Sequence, residues 1–158
     1  MTSLSPNAQK VQEILTHMGC HCQVIEHAGS TRTAQEAAQR AGCELGQIVK
    51  SLVFKGRSSG KAILVLTSGA NRVDEELLSR HAGEPIGRPD ADFVRNTTGF
   101  AIGGVPPVGH AQPLETYLDE DLMSYSVVWA AAGTPNAIFE IPPTELLRIT
   151  DAKMIKVK

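Results

Sequence analysis

The chain has 158 residues, 42% of them hydrophobic and 20% charged, with a formal net charge of −2. Those values fit one soluble globular domain, residues 1–158, with a substantial core, and they exclude a disordered chain. The small negative charge argues against DNA or any long nucleic acid held by counterion release, whereas gripping the short end of an RNA needs only a few cations.

No apolar run approaches the ~20 residues that cross a bilayer, so no membrane partner is expected. The start of the chain lacks the basic, apolar and small-residue blocks of a secretory signal. Three cysteines, Cys20, Cys22 and Cys43, do not make an even disulfide set. A reduced, cytoplasmic setting is the expectation.

Ser5-Pro6 reads as an N-cap followed by a proline at the first helical position. Val11, Ile14, Leu15 and Met18 then recur at helical spacing until Gly19. Residues 22–27 read as a short strand and 31–42 as an alanine-rich helix ended by Gly42. The β-branched runs 47–55 and 61–68 flank "GRSSG" and read as a hairpin. Two helices are expected over 73–83 and 89–99, then a strand at "FAIGG" (100–104), then mixed turn and helix over 113–125. "SVVWAAAG" and "NAIFEI" read as strands, "PPTELLRIT" as a short helix and "KMIKVK" as a last strand. Strands outnumber helices, and the order is not the regular βαβ of a doubly wound sheet. The expected fold class is mixed α/β, a single domain with a largely antiparallel, barrel-like sheet flanked by helices.

Two motifs fall short of a chemistry. "GRSSGKA" (56–62) has three residues between its glycines where a phosphate-binding loop needs four, and Ala62 stands where Ser or Thr should follow the lysine. Cys20-His21-Cys22 supplies three metal-ligand types, yet a structural zinc site wants four and no CxxC pair exists. No metal or other cofactor is therefore expected. No nucleophile elbow occurs, and the five histidines are scattered.

Two features resist an ordinary reading. Lys50 interrupts "IVKSLVF" on the strand face it shares with Ile48, Leu52 and Phe54. A lysine there must reach water, meet an anion or lose its proton. "GFAIGGVPPVGH" (99–110) sets Gly103-Gly104 beside Pro106-Pro107, maximal backbone freedom next to maximal restriction. Such a loop is either a tight strand connection or a rigid, bare wall that aims main-chain N–H groups at a ligand.

These pieces occur in a telling order. "EHAGSTRTAQEAAQRAGCELGQIVKSLVFKGR", "TTGFAIGGVPPVG" and "VVWAAAGTPNAIFEIPPTEL" together resemble the YbaK family, relatives of the editing insertion of prolyl-tRNA synthetase. The likeness covers about residues 20–150. It implies a free-standing aminoacyl-tRNA deacylase that hydrolyses the ester of mischarged tRNA, usually proline tRNA. Its partners would be the tRNA acceptor end and a prolyl-tRNA synthetase. Lys50 matches the family's strand lysine, and Gly103 to Pro107 its G-x-x-x-P loop.

The resemblance implies Lys50, Gly103 and Gly104 as catalytic residues, with Ser51, Val105, Pro106, Pro107, His110 and Ile138 contacting substrate. Lys50 would hold the phosphate or carbonyl end as an electrostatic anchor or serve in proton transfer. Ser51 stands where relatives acting on cysteine carry threonine and those acting on alanine carry asparagine, and Ile138 stands opposite an aspartate of the former. The implied amino acid is small: alanine, 2-aminobutyrate, cysteine or serine. The competing readings are a non-catalytic module that binds aminoacyl-tRNA or a synthetase, and a regulatory domain that binds a free amino acid.

Overall fold

Polar caps and glycine stops bound most of the helices of this computed structural model, which describes residues 4–158. In α2 (Ala34–Ala41), Thr33 and Glu36 form a reciprocal capping box. Asp74 and Asp90 accept first-turn N–H groups of α3 (Glu75–Ala82) and α4 (Ala91–Thr98). All three helices end at a glycine in the left-handed region. α1 (Pro6–His17) begins as expected at Ser5-Pro6. Ser5 does not cap it, however; its N–H and hydroxyl both donate to the Glu26 carboxylate, at 2.7 and 2.6 Å. α5 (Pro143–Thr150) starts on a proline.

The strands are β1 (Val24–Glu26), β2 (Ile48–Gly56), β3 (Ala62–Ser68), β4 (Ile86–Gly87), β5 (Glu115–Asp119), β6 (Val128–Ala131), β7 (Ala137–Ile141) and β8 (Lys153–Ile155). They form one mixed sheet in the order β1-β7-β6-β2-β3-β5-β8, with β4 on the far end of β2. Among the described strands, β1/β7, β6/β7, β2/β3 and β2/β4 pair antiparallel, while β2/β6, β3/β5 and β5/β8 pair parallel. The mixed α/β domain is as expected, with more parallel pairing than the hairpin pattern indicates.

Both sheet faces are covered. Val49, Leu64, Leu66 and Leu118 pack with Val11 and Leu15 of α1, Val94 of α4 and Leu146 of α5. Phe54, Ile63, Val65 and Tyr117 pack with Leu78 of α3 on the other face. All seven residues of β3 are buried for this reason. No helix among the described residues is long and apolar enough to cross a membrane.

Two segments differ from the sequence expectation. Residues 100–104 are a loop: Gly104 N–H donates to Ala101 O and closes a turn, with Ala101 and Ile102 turned out to solvent. Residues 115–119 form a strand followed by a short 3-10 helix. Its charges masked it, because Glu115 accepts from the Tyr117 hydroxyl and the buried Asp119 carboxylate has donors of its own.

Candidate functional site

β2 is the strand on which the site is built. Gly69 N–H donates to Ile48 O and Gly56 N–H to Lys61 O, which sets the hydrogen-bonding phase with β3. Lys50, Leu52 and Phe54 then turn their peptide groups toward β3, and Ser51 and Val53 turn theirs away. On that outer side β6 pairs only at Ile48 and Val49, and β4 only at Lys55 and Gly56. Ser51 and Val53 therefore face a gap in the sheet, and none of the hydrogen bonds of the described loops reaches their main chain. β6 ends there because Gly133, at φ +92°, turns the chain into β7, while Gly133 N–H ties back to Gly104 O.

A cavity of about 370 Å³ opens at this gap. Of the residues singled out in the sequence, Lys50, Ser51, Gly103, Val105 and Ile138 line it together. Its apolar floor is the small cluster of Ala37, Ile48 and Ile138 against Trp129. The Ser51 hydroxyl is buried without a partner among the described residues. An unpaired buried hydroxyl costs ~1–3 kcal/mol, which a polar ligand would recover. Among the lining residues there is no histidine, carboxylate or cysteine, and the Lys50 ammonium is bonded to Asn71 O and not to Ser51, so no base is paired with that hydroxyl to make it a nucleophile.

Lys50 lies on the face that strand alternation assigned to it, between the α2 and α3 clusters. It is half-buried, and its ammonium donates to Asn71 O at 2.8 Å. Burial, then the Arg72 and Arg88 guanidinium groups, hold its pKa below the ordinary lysine value, while Asp119 opposes them. Arg32 also lines the cavity. Neither Arg32 nor Lys50 has an acidic partner within 4.0 Å among the described ion pairs. The mouth is positive in a chain of net negative charge, an arrangement that concentrates anionic ligands.

The glycine-proline loop divides its residues between two roles. Gly103 lines the cavity at φ +92°, and among the described bonds its N–H has no main-chain partner. Gly104 lies behind, with its N–H given to Ala101 O and its carbonyl to Gly133. Pro106 and Pro107 are buried. His110 sits away from the cavity in a groove with Pro107. Its Nε2–H donates to Pro106 O at 2.7 Å, and burial pushes its pKa down. A neutral imidazole suits that strut, which braces the loop from behind.

Thr31, Arg32 and Thr33 complete the wall at the start of α2 and were not singled out from sequence. The signal was the cap before the alanine-rich helix, which brings its positive end to the cavity. Cys20 and Cys22 lie elsewhere; burial, with Cys20 adding, pushes the Cys22 thiol up to about 11. Such thiols stay protonated at neutral pH. No group of three metal-ligand side chains occurs among the described residues. Any activity is expected to survive prolonged chelation; loss on chelation with recovery on adding zinc would reverse that expectation.

The strand lysine, the bare loop and the apolar floor meet in one cavity of a mixed α/β domain. Residues 28–149 match the aminoacyl-tRNA editing domain, and the chain belongs to that family. It superposes with TM-score 0.93 on a crystal structure described provisionally as a trans-editing enzyme for prolyl tRNA synthetase. The two are 54% identical, covering 99% of each chain. It is 33% identical over 131 residues to the uncharacterised protein YwhH of Bacillus subtilis, covering 83% of each. An Enterococcus faecalis protein with the provisional name Cys-tRNA(Pro)/Cys-tRNA(Cys) deacylase EbsC is 28% identical, covering 79% of this chain and 76% of that one.

Proposed function

We propose that this protein is a trans-editing deacylase that hydrolyses the ester of mischarged tRNA, with proline tRNA carrying a small wrong amino acid as substrate. The observation that carries the reading is one cavity combining an ammonium, a bare glycine wall and an apolar floor. The synthetase pocket that makes such errors separates side chains differing by a methylene by only ~1–3 kcal/mol, so a second hydrolytic site serves fidelity.

The chemistry follows from what lines the cavity. Water, oriented by main-chain groups or by the ribose hydroxyl beside the ester, attacks the carbonyl carbon. The tetrahedral intermediate carries an oxyanion, which preorganised N–H donors stabilise. Gly103 N–H is an uncommitted donor of the loop, and Ser51, whose N–H turns away from β3, lines the same cavity. Collapse of the intermediate breaks the C–O bond and releases tRNA and the free amino acid. Lys50 and Arg32 hold the phosphate end as point and planar cations respectively. The site of action is the cytoplasm, where charged tRNA is used.

Ala37, Ile48 and Ile138 favour alanine or 2-aminobutyrate over serine. An apolar floor rejects an added hydroxyl by only about 10²-fold. A deacylation panel over proline tRNA charged with alanine, 2-aminobutyrate, cysteine, serine and proline tests this. Alanine and 2-aminobutyrate should be released fastest and proline slowest. Tight binding of every member with no turnover would assign the chain instead to the class of non-catalytic aminoacyl-tRNA binders.

A further inference from the structure

Asp119 is a buried carboxylate, 1% exposed, at the end of β5. No cation touches it within the described ion pairs; hydrogen bonds hold it instead. Its Oδ2 accepts from Thr67 Oγ1 at 3.0 Å, Ser68 N–H at 3.0 Å and Asn71 Nδ2 at 2.8 Å. Its Oδ1 accepts from Asp121 N–H at 2.9 Å. A buried charge without a counter-ion is costly even when its lone pairs are filled, and a neutral side chain could end a strand at less expense.

The three donors to Oδ2 all belong to the end of β3 and the turn after it. Thr67 is the residue directly opposite Lys50 in the β2/β3 register. Asn71, 7% exposed, is the residue whose carbonyl takes the Lys50 ammonium. Its side chain is held twice, by Asp119 and by Asp121 Oδ2, each at 2.8 Å. The chain of contacts is continuous: carboxylate, Asn71 amide, Asn71 carbonyl, ammonium.

We propose that Asp119 is the positioning residue of Lys50, fixing through Asn71 the carbonyl that accepts one ammonium N–H, so that the other two are presented to substrate. This rests on the reading of Lys50 as substrate anchor. An ammonium on a four-carbon stem has many rotamers, and one fixed acceptor selects among them. The negative charge also has a task, because the charges acting on Lys50 from neighbouring elements are the cations Arg72 and Arg88, Arg32 adds a third cation to the cavity wall, and Asp121, on the Asn71 side chain, is the other acid. Asp119 opposes their field and favours the charged form of the lysine.

The test is Asp119→Asn, with Asn71→Ala as the variant that keeps the carboxylate. Charged Lys50 is lost as pH rises through its pKa, so the alkaline limb of background-corrected deacylation reports it. In Asp119→Asn the limb should move to lower pH and kcat/KM should fall by up to about 100-fold, the scale of a misplaced anchor. Asn71→Ala should lower kcat/KM with the limb unmoved, because the charge remains. Lys50 titration followed by heteronuclear NMR needs no turnover and should shift downward in Asp119→Asn alone. A lowered melting temperature with kcat/KM, limb and NMR titration unchanged would make Asp119 purely structural. If Asp119→Asn does not fold, unchanged kcat/KM in folded Asn71→Ala overturns the proposal. A parent protein that turns over no ester, while its Lys50 titration still responds to Asp119→Asn, would overturn the deacylase reading and leave the positioning intact.

Discussion

Lys50→Met is expected to fold as the parent does and to lose deacylation by about 10²–10³-fold, the scale of removing one preorganised electrostatic contact. Methionine keeps the stem that packs beside Ile48 and Leu52 and removes only the ammonium. Stability should hold or rise. The folded pKa of Lys50 lies below its unfolded value, so the fold disfavours the charged form. That penalty is present in full below the folded pKa and disappears as pH rises through the unfolded one. Removing the charge relieves it at neutral pH, and thermal melts at pH 7 measure the change. Lys50→Arg should not restore the rate, because a planar guanidinium cannot donate to the Asn71 carbonyl and also occupy the same point in the cavity. Near-normal turnover in folded Lys50→Met would leave Lys50 a half-buried lysine hydrogen-bonded to Asn71 O, with no part in the reaction.

The sequence made Lys50 conspicuous because strand alternation is a local rule, and β2 obeys it. The hairpin, all five helices and the strands around Trp129 and Phe139 were legible for the same reason: their periodicity and caps lie within a dozen residues. What escaped depends on contacts far apart in the chain. The strand at Glu115–Asp119 looks polar until Thr67, Ser68 and Asn71 arrive to fill the Asp119 lone pairs. The gap at Ser51 depends on β6, some eighty residues on, leaving β2 after Val49. No local pattern announces a strand that stops pairing, and so the main-chain half of the site was visible only in three dimensions. The loop of glycines and prolines was visible, but its division of labour was not. Gly103 and Gly104 look equivalent as letters and differ in where their N–H groups go.

That difference gives the sharpest expected contrast. In Gly103→Ala, the new Cβ would sit at φ +92°, a conformation L side chains rarely adopt, and 2.6 Å from Arg32 Cγ. Arg32 is exposed and its side chain can swing away, but the backbone strain remains, so the peptide is expected to rotate and carry its N–H off the cavity. The cost should fall on the chemical step, about 10²–10³-fold in single-turnover deacylation, because the oxyanion and not the ground-state ester needs that donor. Affinity for tRNA should change little if the contacts to phosphate stay with Lys50. In Gly104→Ala the Cβ would meet the Thr134 backbone at 3.1 Å, and Gly104 does not line the cavity that holds Lys50 and Gly103. Its N–H is already committed to Ala101 O, so the substitution should act as packing strain: a lower melting temperature with the rate of the folded fraction kept. Melts, tRNA affinity and single-turnover rates on the two variants separate these outcomes. Equal losses of rate in both would mean that the whole loop, not the Gly103 N–H, carries the effect; parent-like rates in both would reduce the loop to a rigid connection between α4 and β5.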